Sequence, residues 1–113
     1  MTAIDELFQL GTSTWLDDLS RDRITTGNLD EIKAQKSVVG VTTNPAIFAK
    51  AMSVGDAYSE QLASLRETSS AADAAVYAMS VKDVKDACDL FADVYAATNG
   101  RDGRVSIEVD PRY

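Results

Sequence analysis

The stretch from Val38 to Phe48, VVGVTTNPAIF, constrains this chain more than any other. Val38, Val39 and Val41 supply the β-branched bulk of a buried strand. Thr42, Thr43 and Asn44 then place three polar side chains where that strand stops. Pro45 holds φ at about −65° and has no N–H to donate, which suits the first position of a helix. Asn44, one residue earlier, is placed to cap that helix. A strand whose carboxyl end carries hydroxyls and an amide, facing a helix amino terminus, is where open α/β sheets and barrels put ligands. The same residue types also serve as plain turn formers and caps.

Two further strands frame this one. Residues 13–17, STWLD, alternate with Ser13, Trp15 and Asp17 on one face and Thr14 and Leu16 on the other. Residues 104–109, RVSIEV, set Val105, Ile107 and Val109 against Ser106, Glu108 and Asp110, with Pro111 as terminator. The second strand is expected over 38–43. Residues 19–36 form the crossover between the first two, with Asn28 and Glu31 spaced as a capping box for NLDEIKAQK. Strand, helix, strand in this order is a right-handed parallel βαβ unit.

The other segments read as helices. Residues 2–10 make a short one, capped by Thr2 and ended by Gly11. Pro45 to Met52 and Tyr58 to Arg66 make two more. Ser80 and Asp83 have capping-box spacing and open a helix over 81–98. Val81, Val84, Cys88, Phe91 and Tyr95, widened by Ala87, Leu90, Val94 and Ala97, give that helix a buried face, and Asn99-Gly100 terminates it.

Composition narrows the function. The 113 residues fit one domain, with 18 acidic residues against 11 basic and a net charge of −7. That balance argues against nucleic acid and against an anionic membrane as partners. A phosphorylated small substrate stays open, because one local cationic pocket overrides a global excess. Cys88 is the single cysteine, so no internal disulfide forms and a reducing cytoplasm is expected. The absence of histidine removes His-based triads and metal sites. No run is long and apolar enough to cross a bilayer, and the acidic amino terminus lacks a signal-peptide start.

Strand parity points to the chemistry. A strand buried on both faces is almost wholly apolar. Here Ser13 and Asp17 accompany Trp15, Gly40, Thr42 and Asn44 share one parity, and Ser106 and Glu108 oppose valine and isoleucine. The polar faces meet either water or the interior of a barrel near its carboxyl-terminal mouth. Asp17, Asn44 and Glu108 all come late in their strands, behind small or apolar residues, which favours the barrel. Two carboxylates and an amide at one level support acid–base chemistry on a hydroxylated substrate. Asp17, Glu108 and Asp110 are also candidates for holding a divalent cation, although Asp110 faces away from Asp17 if it follows Val109 in a bent strand end. The remaining acids, Asp18, Asp22, Asp30, Asp56, Asp73, Asp89, Asp93 and Asp102, read as caps and solvated helix faces.

Three segments together, GTSTWLDDLSRDRI, SVVGVTTNPAIF and DGRVSIEVDPR, resemble the transaldolases of the long bacterial type in their order and approximate spacing. The intervening NLDEIKAQK and VYAMSVKDVKDACDLFADVY are similar too, so the resemblance covers essentially the whole chain. It implies an α/β fold of the (β/α)8 TIM-barrel type. It implies transfer of a dihydroxyacetone unit between sugar phosphates, from sedoheptulose 7-phosphate to glyceraldehyde 3-phosphate, within the non-oxidative pentose phosphate pathway. The family uses a lysine Schiff base as electron sink and no cofactor. Carried onto this sequence, the resemblance makes Asp17 the acid–base residue of carbon–carbon cleavage. It makes Asn44 the amide that binds donor hydroxyls, and Glu108 the carboxylate acting through water on the carbinolamine. Thr42 and Ser106 line the same site.

One departure is large. The family's Schiff-base lysine belongs on the strand after the third, and its arginine clamp for the sugar phosphate also lies downstream. Lys33, Lys36, Lys50, Lys82 and Lys85 all fall on expected helices or just past one. Arg112 has no motif behind it. Residues 1–113 are therefore expected to be an incomplete, amino-terminal TIM-barrel domain with strands at about 13–17, 38–43 and 104–109, inactive alone. Two competing readings are a small non-catalytic βαβ domain that binds a ligand or partner, and a Schiff-base aldolase of different specificity.

Overall fold

Two crossovers join three short parallel strands. The computed structural model describes residues 3–53, 55–67 and 71–108. The strands β1 (Thr14–Leu16), β2 (Val38–Val41) and β3 (Arg104–Val105) form one sheet in the order β1-β2-β3, parallel throughout. Seven described helices surround them: α1 (Ala3–Gln9), α2 (Arg21–Thr25), α3 (Asn28–Lys36), α4 (Pro45–Ser53), α5 (Ser59–Glu67), α6 (Ala72–Leu90) and α7 (Ala92–Ala97).

The strand order advances in one direction only. Right-handed crossovers then place every intervening helix on the same face of the sheet. The core agrees with that: Leu19, Leu29, Val38, Val41, Phe48, Ala87 and Phe91 form one buried cluster, with Leu16 and Val105 packed against it. Leu29 comes from α3, Phe48 from α4 and Ala87 from α6, so three helices share the face carrying Leu16, Val41 and Val105. The register slips between Thr14 and Trp15, which lets Val38 and Val41, three residues apart, both reach that core.

The opposite face carries Trp15, Gly40 and Arg104, which stand side by side in the register. The Trp15 indole lies directly over Gly40, where an added Cβ would come within 2.5 Å of the ring. Gly40→Ala must push the indole off the central strand. It is expected to cost about 1–3 kcal/mol of stability, the range for overpacking. Urea unfolding measures this, and an unchanged midpoint would show that the ring has room to move.

The entry to β3 is fixed just as tightly. Gly103 has φ +80°, and its N–H donates to the Val39 carbonyl at 2.6 Å. A Cβ there would meet the Tyr95 backbone nitrogen at 2.3 Å, so only glycine fits.

Several local expectations are corrected. The helix expected to open at Ser80 starts at Ala72 and runs unbroken to Leu90. The Ser80 hydroxyl donates to the Val76 carbonyl at 2.9 Å, the bond a mid-helix serine makes, and caps nothing. A break at Phe91 then separates α6 from α7. Of the expected buried face, Ala87 and Phe91 are buried and Val84, Leu90 and Val94 pack against the core, with Asp83 also turned inward, whereas Val81, Cys88, Tyr95 and Ala97 are exposed. Asn28 does not cap α3. Gly27, at φ +79°, occupies the cap position, and the Asn28 Oδ1 accepts from Arg23 at 2.5 Å instead.

Asp102 is no solvated cap either. It is buried and accepts a 2.7 Å bond from the Ser13 hydroxyl, tying the start of β1 to the loop before β3. The third strand pairs only over Arg104–Val105, although the Ser106 N–H still donates to the Val41 carbonyl at 2.9 Å. Thr2 and residues 109–113, including Asp110 and Arg112, lie outside the described residues. Asn99 and Gly100 do terminate α7, both at positive φ.

Candidate active site

The parallel register carries the chain ends of β1, β2 and β3 to the same side. Trp15, Gly40 and Arg104 are lateral neighbours, so two residues further on Asp17, Thr42 and Ser106 follow on the same face, and Asn44 and Glu108, expected level with Asp17, come two residues beyond that level. Backbone bonds keep the strands together beyond their assigned ends. The Thr42 N–H donates to the Leu16 carbonyl at 2.8 Å. The Glu108 N–H donates to the buried Thr43 hydroxyl at 3.0 Å.

Asp17 and Thr42 touch. The Thr42 hydroxyl donates to Asp17 Oδ1 at 2.6 Å, a charge-assisted bond that fixes one carboxylate oxygen and leaves Oδ2 outside it. Asp17 is exposed and Thr42 half-buried. Asn44 caps α4, its Oδ1 accepting from the N–H groups of Ala46 at 2.9 Å and Ile47 at 3.4 Å. The cap uses the oxygen, so the Asn44 amide nitrogen is the end turned to anything else. Ser106 and Glu108 are exposed on the third chain segment.

Two clefts lie elsewhere. An open groove of about 390 Å³ runs between Cys88, Tyr95 and Arg104, and one of about 440 Å³ lies between Phe8 and Arg101. Neither is lined by Asp17, Asn44 or Glu108. Among the described residues, no three acidic or sulfur side chains gather at a possible metal site.

All five lysines stand on helices: Lys33 and Lys36 on α3, Lys50 on α4, Lys82 and Lys85 on α6. None is at a strand's carboxyl end. Lys33 caps the end of α6, donating to the Leu90 carbonyl at 2.8 Å and to Asp93. That hydrogen bond holds the Asp93 carboxyl below its ordinary range.

Sequence reading missed a buried ionic node next to the Asp17 segment. Arg21, at the start of α2, sends Nε to Asp83 Oδ1 at 2.8 Å, and the Asp83 side chain is 0% exposed. The Tyr58 hydroxyl donates to Asp83 Oδ2 and accepts the Arg21 backbone N–H at 2.9 Å. The guanidinium also stacks 4.3 Å from the Tyr58 ring centroid and donates to Gln61 Oε1 at 2.5 Å. Burial, and then the bond to Asp83, holds the Tyr58 phenol well above the usual tyrosine range. One signal was available: Asp83 falls four residues after Met79 and four before Ala87, inside an apolar stripe where an acid needs a partner.

A parallel sheet with its helices on one face, and polar residues collected beyond the strands' carboxyl ends, defines a segment of an α/β-barrel enzyme. The chain belongs to the transaldolase/fructose-6-phosphate aldolase family, whose model matches residues 14–113. It is 54% identical over 111 residues to the transaldolase of Kocuria rhizophila, covering 98% of this chain and 30% of that protein. Transaldolase 1 of Streptomyces avermitilis is 57% identical over 109 residues, covering 96% of this chain and 29% of the relative. The Mycobacterium marinum transaldolase is 56% identical over 102 residues, 90% of this chain and 27% of its own. The chain thus spans about 30% of the length of the curated relatives it matches. Its three strands are the amino-terminal part of the family's barrel.

Proposed function

We propose that residues 1–113, as a partial TIM-barrel domain, carry the acid–base half of a transaldolase active site. The reaction moves a dihydroxyacetone unit from sedoheptulose 7-phosphate to glyceraldehyde 3-phosphate, giving erythrose 4-phosphate and fructose 6-phosphate. The Schiff-base lysine and the phosphate-binding residues come from sequence outside this segment.

Asp17 is the base for cleavage. As the carbon–carbon bond breaks, its electrons move toward the Schiff-base nitrogen and the substrate hydroxyl proton moves to Asp17. Thr42 orients the carboxylate by occupying Oδ1. Asn44, its oxygen committed to the α4 cap, presents N–H donors to donor-sugar hydroxyls. Glu108 acts through water on carbinolamine formation and breakdown, and Ser106 lines the site between Thr42 and the open edge. The observation that carries this reading is the 2.6 Å Thr42–Asp17 bond across the carboxyl ends of two parallel strands.

A chimera tests it: residues 1–113 joined to the part of the Kocuria rhizophila transaldolase that lies beyond its match. The chimera is expected to retain activity within about tenfold of the parent, a barrier change of about 1.4 kcal/mol. Borohydride with fructose 6-phosphate should trap an adduct on it. Residues 1–113 alone should give no adduct under the same treatment. A folded chimera without activity, or a reduced adduct on Lys50 or another lysine of this chain, overturns the assignment.

A further inference from the structure

We propose that Arg21, Tyr58 and Asp83 are positioning residues that hold Asp17 at its working distance from Thr42. The proposal rests on the reading of Asp17 as the cleavage base. Asp17 begins a segment, residues 17–20, that belongs to no strand or helix, and its own side chain is exposed. Thr42 secures it from one side. From the other side the segment runs straight into Arg21, whose backbone N–H and guanidinium are both anchored.

The anchors come from far away in sequence. The backbone N–H of Arg21 goes to the Tyr58 hydroxyl, 37 residues distant, and its Nε to Asp83, 62 residues distant. A further guanidinium nitrogen reaches Gln61 Oε1 and the Met79 carbonyl at 3.3 Å. Within the segment, Leu19 is sunk in the core. Asp18 pairs with Arg23 at 2.6 Å, and Arg23 also holds Asn28. Residues 18–21 are therefore fastened to α3, α5 and α6 while Asp17 remains free to meet a substrate.

Two features favour positioning over the alternatives. The Arg21 guanidinium is buried and already engaged by Asp83 and Gln61, so it is not placed to bind a sugar phosphate. A buried ion pair is also a weak source of stability, since apolar residues of similar volume often replace one without loss. What the forked guanidinium and the two-way Tyr58 hydroxyl supply is direction.

The test uses Tyr58→Phe and Arg21→Lys in the chimera, each alone and with Asp17→Asn. Phenylalanine keeps the buried ring and removes only the hydroxyl that holds the Arg21 N–H. Expected are a fall in kcat of about tenfold, KM within about twofold, and an unchanged rate of borohydride trapping of the uncleaved fructose 6-phosphate adduct, because that Schiff base forms before cleavage. In the Asp17→Asn background the same substitution should cost less than about twofold, since both act through one group. Amide exchange over residues 17–20 should quicken about tenfold while β2 stays protected. Equal losses in both backgrounds, parallel losses in kcat and trapping, or unchanged exchange over 17–20 overturn the proposal. Should Tyr58→Phe not fold, Arg21→Lys carries the same readings. An inactive unsubstituted chimera counts against the transaldolase assignment, and the exchange measurement still decides whether the node holds the segment.

Discussion

Asp17→Asn in the chimera is expected to lower kcat by about 10²–10⁴-fold, the usual contribution of a positioned acid–base group. The substitution is nearly isosteric. The introduced amide keeps an oxygen to accept the Thr42 hydroxyl, so the 2.6 Å contact between β1 and β2 survives in form. What disappears is the ability to take a proton. Because the side chain is exposed and outside the core, stability should change by no more than about 0.5 kcal/mol. Steady-state kinetics and a thermal melt on the same preparation separate the two effects. Turnover within a few-fold of the unsubstituted chimera would remove Asp17 from the mechanism.

Asp83→Leu is expected to destabilise the fold by about 3–5 kcal/mol, the range for stripping one partner from a buried ion pair. The loss has two parts. The Arg21 charge stays buried without its carboxylate, and the Tyr58 hydroxyl loses the oxygen it donates to. Adding Arg21→Met should recover most of the loss, because no unpaired charge is then left buried between α2 and α6. Denaturant unfolding of the single and double variants in the chimera checks both statements. A single-variant loss below about 1 kcal/mol would mean the pair is solvated in solution.

What could be read from the sequence follows from how local each signal is. The second strand was legible from its run of valines and the other two from their alternation of apolar and polar residues, and Pro45 and Gly11 punctuate the helices beside them. Parity put Asp17 and Thr42 on one face, but the expected level paired Asp17 with Asn44, and only the strand register shows that Thr42 stands beside it. The capping role of Asn44 was legible locally, from its place just before Pro45.

Other features depended on partners that sequence spacing does not reveal. Ser80 and Asp83 have the separation of a capping box, yet the alanine-rich run before them is already helical and Asp83 turns inward to Arg21. Asn28 lost the cap position to Gly27, whose left-handed φ ends the preceding turn and frees the amide for Arg23. The face of α6 and α7 expected to be buried is so in its middle, at Ala87 and Phe91, but its ends are not: Asp83 takes the inward side one turn before Ala87, and Val81 and Tyr95 stay exposed. Asp102 looked like a loop acid until Ser13, 89 residues away, supplied its donor.

The central claim is that Asp17, Asn44 and Glu108, from three neighbouring parallel segments, act on one sugar phosphate. A crystal structure of the chimera with its borohydride-trapped dihydroxyacetone adduct tests this most directly. It should show Asp17, the Asn44 amide nitrogen and Glu108 each within about 3 Å of the adduct or of one bridging water. An adduct seated out of reach of all three, or reached only from the opposite end of the strands, would contradict it.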